Sequence, residues 1–174
     1  MAPESKRLFF ALWPDPPAAD ALHRLAERLH GVYGGRPMRR DTLHLTLAFL
    51  GDVAVDRIAA LCEVAAAISA EPFRLDLDRL GYWSGNRVLW AGCSTPPDAL
   101  RRLAETLQSD LRAAGFSLER RPFAAHVTLL RKARCDVLPA ERPAIGWTAE
   151  QWGLVESAAA DGVPHYLPLQ RWPL

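Results

Sequence analysis

Two short stretches of this chain carry the same polar spacing. "TLHLTLAFLG" at 42–51 sets His44 and Thr46 into an apolar run, and "AHVTLLR" at 125–131 does the same with His126 and Thr128. Side chains alternate between the two faces of a strand, so each His should share a face with its Thr. Leu43, Leu45, Leu47 and Phe49 are then expected on the opposite, buried face. A single such His reads most simply as a structural residue with a satisfied partner. Two of them in matching settings suggest a shared task. Imidazole titrates near neutrality, with an unperturbed pKa of about 6.5. If the two rings face one another, a neutral one can act as base while the other, protonated, acts as acid. Thr hydroxyls on the same faces would add hydrogen bonds to a group held between the rings. A phosphoryl group suits that arrangement, with its free oxygens turned toward Thr, Arg and backbone donors. Such a pair predicts a bell-shaped pH dependence, with activity lost on both sides of neutrality.

A metal site competes poorly. Each strand offers one His, without the H-x-H or H-E-x-x-H spacing that would gather ligands. A phosphohistidine intermediate is a less economical use of two imidazoles.

The elements that must position these residues can be read around them. "RLFFALWP" at 7–14 predicts a first strand, with Phe9 and Phe10 on opposite faces. Asp15 followed by Pro16 and Pro17 signals a helix start. Leu22, Leu25 and Leu29 then mark one helix face, running to about Val32. A second helix is expected from about Asp56 to Ala70. "FRLDLDRL" at 73–80 alternates as a half-exposed strand, with "GYWSGN" as a turn and "RVLWAG" at 87–92 as its hairpin partner. "STPPDALRRLAETLQSDLRAAG" predicts a third helix ending at Gly115. Further strands are expected in "WTAEQWGLVES" and in "HYLPLQRWPL", where prolines weaken the reading.

The order of these elements repeats. "ALHRLAERL" at 21–29 and "ALRRLAETL" at 99–107 agree at seven of nine positions, and each follows a Pro-Pro pair. Each is followed in turn by an arginine pair (Arg39–Arg40, Arg120–Arg121) and then by an H-x-T strand. Two related lobes, each supplying one His and one Thr, account for this echo.

Composition sets broad bounds. The 174 residues fit one domain, at 49% hydrophobic and 24% charged, with a net charge of +1 that advertises neither nucleic acid nor membrane. Apart from Lys6 and Lys132, the 21 basic residues are all Arg, a bias that suits phosphate but can also follow from base composition. Cys62, Cys93 and Cys135 are scattered, so neither a disulfide framework nor a zinc site is suggested. No signal peptide or membrane span is visible, and a cytoplasmic protein is the expectation.

Paired H-x-T-L motifs in two lobes resemble the two-histidine phosphoesterase superfamily. Within it, the chain is similar to the RNA 2′,3′-cyclic phosphodiesterases, historically called 2′-5′ RNA ligases. "RLFFAL", "LHLTLAFLG", "RVLWAG", "HVTLLR" and the ending "LVES…G…Y…L…WPL" carry the resemblance over nearly the whole chain. Ala125 stands where the family usually has Pro, and Met38–Arg40 where it often places an aromatic residue.

The resemblance implies an α+β fold of residues 1–174 as one domain. Two pseudo-symmetric lobes of antiparallel sheet, with helices outside, should flank a central cleft. It implies hydrolysis of a 2′,3′-cyclic phosphate to a 2′-phosphomonoester without metal or other cofactor. His44 would be the proton donor to the departing 3′-oxygen and His126 the base that activates water. Thr46 and Thr128 would hold non-bridging oxygens. Arg131 matches a basic family position, but its odd offset from His126 points it away from the cleft on an ideal strand. A twist, a bulge or the strand's end would have to turn it. The expected partners are RNA ends bearing a 2′,3′-cyclic phosphate, or cyclic nucleotides. No membrane or protein partner is implied, and a monomer is expected. Cleavage of 2′-5′ linkages or of ADP-ribose cyclic phosphate, ligation, and non-catalytic binding of RNA ends are the rival readings. Outside the motifs, His23, His30 and His165 are expected to be solvated, the last in a turn. Trp83, Trp90, Trp147 and Trp152 are expected to serve core or edge packing rather than stacking on a base.

Overall fold

The computed structural model describes residues 4–160 and 163–174. Ten strands run in chain order as β1 (Ser5–Leu12), β2 (Arg36–Pro37), β3 (Leu45–Ala54), β4 (Phe73–Leu77), β5 (Arg79–Trp83), β6 (Val88–Gly92), β7 (His126–Arg131), β8 (Ile145–Ala149), β9 (Gln151–Ala160) and β10 (Val163–Pro173). Three helices, α1 (Pro16–Tyr33), α2 (Ile58–Ala66) and α3 (Asp98–Ala113), complete the α+β fold.

Eight strands form one antiparallel sheet in the order β10-β9-β1-β3-β7-β6-β5, with β2 added to β7. The two predicted lobes are its halves. They meet at a single paired position, Leu45 with Val127. Around that point the registers match one another. Leu12–Leu45, Ala11–Thr46 and Phe10–Ala48 in one half correspond to Ala91–Val127, Trp90–Thr128 and Leu89–Leu130 in the other.

The helices cross-brace these halves. α1 starts where expected, with the Asp15 carboxylate accepting from the Ala18 N–H at 2.9 Å and proline in the first turn. Its buried face (Leu22, Leu25, Ala26, Leu29) packs not on β3 but on β7 and β8. α3, with Leu100, Leu103, Leu107 and Leu111 buried, packs on β3. Each H-x-T strand is therefore backed by the helix of the other sequence half. One core runs beneath both, with Trp147 and Trp152 among its largest fully buried side chains.

Some boundaries differ from the sequence reading. Residues 73–80 are two strands rather than one: β4 pairs with β8 in a separate small sheet, and β5 makes the hairpin with β6. Gly81–Trp83, read as turn, is strand, because Gly81 lies opposite Trp90 and leaves room for its ring. A Cβ on Gly81 would come within 2.0 Å of that ring. α2 is shorter than expected, preceded by a 3-10 turn at Val55–Arg57. The proline-bearing β10 forms as an edge strand, where missing N–H donors are tolerated. His165 consequently sits in a strand, opposite Ala158, although it is exposed as expected. His23 is partly sheltered, with a buried Nδ1 lacking a partner, because it lies beside the buried stripe of α1. No helix among the described residues is long and apolar enough to cross a membrane.

Candidate active site

A cavity of about 480 Å³ lies across the junction of the two halves, lined by His44, Thr46, His126, Thr128 and Arg131 among others. All five residues singled out in the sequence therefore face one space. How the chain achieves this depends on a deviation from ideal strand geometry.

In β7, Trp90 pairs with Thr128 but its neighbour Leu89 pairs with Leu130, so Leu129 is an extra residue. This bulge reverses the alternation. His126 and Thr128 face the cavity, Val127, Leu129 and Leu130 are buried, and Arg131 is returned to the cavity side. β3 carries the equivalent bulge at Leu47, since Ala11 pairs with Thr46 and Phe10 with Ala48. Phe49, placed by simple alternation on the buried face, is turned to line the cavity instead. It stands five residues after His44, as Arg131 stands five after His126. That repeated offset was the available sequence signal for Phe49.

The two imidazoles are held in the same way. His44 Nδ1 donates to the Thr42 carbonyl at 2.8 Å, and His126 Nδ1 donates to the Ala124 carbonyl at 2.7 Å. A carbonyl can only accept, so each Nδ1 carries the proton and each Nε2 is left for the cleft. His44 Nε2 accepts from the Thr46 hydroxyl at 3.1 Å. The Thr42 carbonyl is itself fixed by a 3-10 turn at Arg40–Thr42, with Thr42 Oγ1 donating to Arg39 O at 2.9 Å.

Aromatic rings pack on both imidazoles. Phe9 and Tyr166 lie 4.9 and 5.0 Å from the His44 ring, centroid to centroid. Trp83 lies 4.5 Å and Trp90 6.1 Å from the His126 ring. The choice left open between Phe9 and Phe10 is thus resolved: Phe9 meets His44, and Phe10 enters the core against Trp152 at 5.6 Å. Trp147 and Trp152 are core residues as expected. Trp83, at the end of the edge strand β5, packs against the Trp90 ring at 5.3 Å and also lines the cavity wall. Tyr166, Asn86 and Gln108 were not singled out from the sequence; Asn86 and Gln108 also line the cavity.

Burial pushes the His44 imidazole down to about 4; the Thr42 carbonyl opposes this, while the charges of Arg131 and His126 add to it. Burial likewise lowers His126, with Ala124 opposing and Arg131 assisting. Both rings are therefore held toward the neutral form. An anion between them reverses the balance, so one proton should enter the pair with an anionic ligand. Arg131 is a charge that lowers both imidazoles, whereas Arg39 is bonded to Asp41, Arg40 to Asp20 and Arg121 to Glu119. Among the described residues, no group of three or more His, Cys, Asp or Glu is placed to hold a metal ion.

The model of the LigT-like phosphoesterases matches residues 12–90 and 92–164, one segment for each H-x-T strand. The chain belongs to this family. An RNA 2′,3′-cyclic phosphodiesterase of Escherichia coli K12 is 39% identical over 98% of both chains. A crystal structure of Escherichia coli LigT complexed with 3′-AMP superposes with a TM-score of 0.91 at 36% identity, covering 98% of this chain and 99% of that one. A crystal structure of a Thermus thermophilus protein gives a TM-score of 0.83 at 28% identity, with 97% of each chain covered. The two matched segments each hold one of the H-x-T strands and together span residues 12–164 but for residue 91.

Proposed function

We propose that this protein hydrolyses 2′,3′-cyclic phosphates at RNA ends or on nucleotides, giving a 2′-phosphomonoester and a free 3′-hydroxyl. The observation that carries this reading is the matched pair of Nδ1–carbonyl bonds, which leaves two Nε2 atoms facing one cavity beside two threonines and an arginine. Full-length similarity to a relative named for this activity supports it.

Binding of the cyclic phosphate brings a counter-charge to the two rings, and one imidazole takes up a proton. Nε2 of His126 removes a proton from water as its oxygen attacks phosphorus. The P–O3′ bond breaks, and Nε2–H of His44 gives its proton to the departing 3′-oxygen. This division of roles follows the family resemblance. Thr46, Thr128 and Arg131 bind the non-bridging oxygens, whose charge rises in the transition state. The chemistry runs on proton transfer and hydrogen bonds, and hydrolysis should persist in a chelator. The reading takes residues 1–174 as one catalytic unit, supported by the cavity being lined from both halves. The cytoplasm is its proposed location, supported by three cysteines that are all free thiols.

Turnover of the four nucleoside 2′,3′-cyclic phosphates, with the product isomer identified, tests the reaction. A substrate with sulfur in place of the bridging 3′-oxygen tests the roles, because a thiolate leaves without protonation. It should restore turnover to His44→Ala and not to His126→Ala. Rescue of His126→Ala alone would exchange the two assignments. Tight binding of RNA ends with no turnover of any substrate would leave a binding module.

A further inference from the structure

β2 is only two residues long, yet its placement is tightly specified. Its Arg36 pairs directly with Arg131, and Pro37 with Leu130. The approach is so close that a Cβ on Gly35, at φ +79°, would sit 2.6 Å from the Arg131 carbonyl oxygen. Only glycine fits there. Directly opposed residues in an antiparallel pair project from the same face, so Arg36 emerges on the cavity side next to Arg131, at the exposed rim. Like charges in that position destabilise a sheet. Neither arginine makes an ion pair with any described residue.

The same corner gathers further cations. The Arg87 carbonyl accepts from Ala133 N, and Arg134 N donates to the Tyr33 carbonyl, so Arg87, Lys132 and Arg134 converge at the end of β7. All three are exposed and none is ion-paired with a described residue. Arg87 and Lys132 also hold φ values of 55° and 58°, a conformation uncommon for residues with a side chain. Strain and closely spaced like charge in one corner suit the binding of an anion.

We propose that Arg36, beside Arg131, binds the first internucleotide phosphate of an RNA chain whose terminal cyclic phosphate occupies the cavity. Arg87, Lys132 and Arg134 continue the track outward. The protein thereby prefers an oligonucleotide end to a free cyclic nucleotide. This inference rests on the hydrolytic reading above and names the substrate class within it.

The experiment compares adenosine 2′,3′-cyclic phosphate with a six-nucleotide RNA ending in the same group, for wild type, Arg36→Ala and Arg36→Lys. Arg36→Ala should lower kcat/KM on the hexamer about tenfold, mainly through KM, as expected for one charge-assisted phosphate contact. It should leave the mononucleotide within about twofold, and Arg36→Lys should recover part of the loss. A neutral methylphosphonate at the first internucleotide link should cost the wild type as much as Arg36→Ala does, and add nothing to that variant. The dependence of log KM on log salt should flatten by about 0.7, one single-strand phosphate contact. An equal loss on both substrates would make Arg36 a support for the cavity and overturn the proposal. So would an unaffected hexamer, or additive methylphosphonate and Arg36→Ala losses. Wild type inactive on both substrates would instead refute the hydrolytic reading.

Discussion

The two H-x-T strands solve one geometric problem and then diverge in what they deliver. Each places His and Thr on the cavity face, inserts a bulge immediately after the Thr, and brings the residue five positions beyond the His back to the same face. In β3 that residue is Phe49; in β7 it is Arg131. Each His is tied by Nδ1 to a carbonyl two residues earlier and flanked by two aromatic rings. The backbone is thus nearly twofold symmetric while the charge is not. A symmetric pair of imidazoles has no preferred direction of proton flow. One positive charge on one side supplies a direction, because a phosphate pulled toward Arg131 no longer sits equivalently between the rings.

Removing an imidazole breaks the comparison most severely. His44→Ala and His126→Ala should each lower turnover by about 10²–10⁴, the usual contribution of a positioned acid or base. The double variant should be little worse than either single one, since both changes disable the same concerted step. Steady-state rates on a cyclic mononucleotide check this. Near-normal rates in both single variants would end the acid–base assignment.

Arg131→Phe makes the two strands alike and removes a charge that lowers both rings. A loss of about 10–100-fold in kcat/KM is expected from one charged phosphate contact. The pH profile carries the sharper signal. kcat/KM reports the free protein, in which both imidazoles are held below their ordinary range. The singly protonated pair is therefore most populated on the acid side of pH 6.5, not symmetrically about neutrality as unperturbed imidazoles would predict. Arg131 contributes to that lowering, so its removal raises both groups and moves the alkaline limb of kcat/KM upward. An unshifted limb would mean that Arg131 does not reach the imidazoles electrostatically. Phe49→Ala carries no charge change and should leave the limb in place.

The motif residues were legible because their types recur at fixed spacing, and a repeated H-x-T is visible without a fold. Arg131 and Phe49 were harder, because a bulge is an exception to alternation and its position is set by the partner strand. The odd offset of Arg131 pointed to some irregularity, and nothing local located it at Leu129. Trp83 and Tyr166 could not be placed by pattern, since their roles depend on where β5 ends and on how the edge strand β10 pairs. The exchange of helices between halves was equally hidden: the echo of α1 in α3 shows that the halves are related, not that each helix packs on the other's strand.

Thr46→Ala and Thr128→Ala should cost about tenfold each in kcat/KM, one hydrogen bond to a charged oxygen. Either Thr→Ser change should restore most of it. Thr46 is bonded to its His and Thr128 makes no such bond, so Thr46→Ala should also shift the pH profile, whereas Thr128→Ala should raise KM without a shift. A shift in both variants, or in neither, would contradict the difference between the halves. A larger loss than in the histidine variants would point to a Thr-centred mechanism.

The smallest expected effect concerns how each bulge is secured. A bulge frees a carbonyl from the strand ladder, and a freed buried carbonyl must find a donor. In β7, Leu129 O accepts from the backbone N–H of Met38 at 2.8 Å, a bond no ordinary side-chain replacement removes. In β3, Leu47 O accepts from Gln108 Nε2 of α3 at 2.9 Å. The two halves therefore differ in mutability: one bulge is held by main chain, the other by a single amide. Gln108→Ala should cost about 1–2 kcal/mol of stability for the unpaired carbonyl, read as a lowered Tm. It should also raise KM for a cyclic nucleotide a few-fold, through Phe49 and Thr46 on either side of the bulge. Inhibition by inorganic phosphate should change less, because Thr128 and Arg131 stand on the strand that Gln108 does not touch. Gln108→Glu offers no donor in its ionised form and brings a negative charge toward the carbonyl and the cavity, so it should be the worse of the two. If Gln108→Ala leaves both Tm and KM unchanged, pairing with β1 alone is enough to hold the bulge.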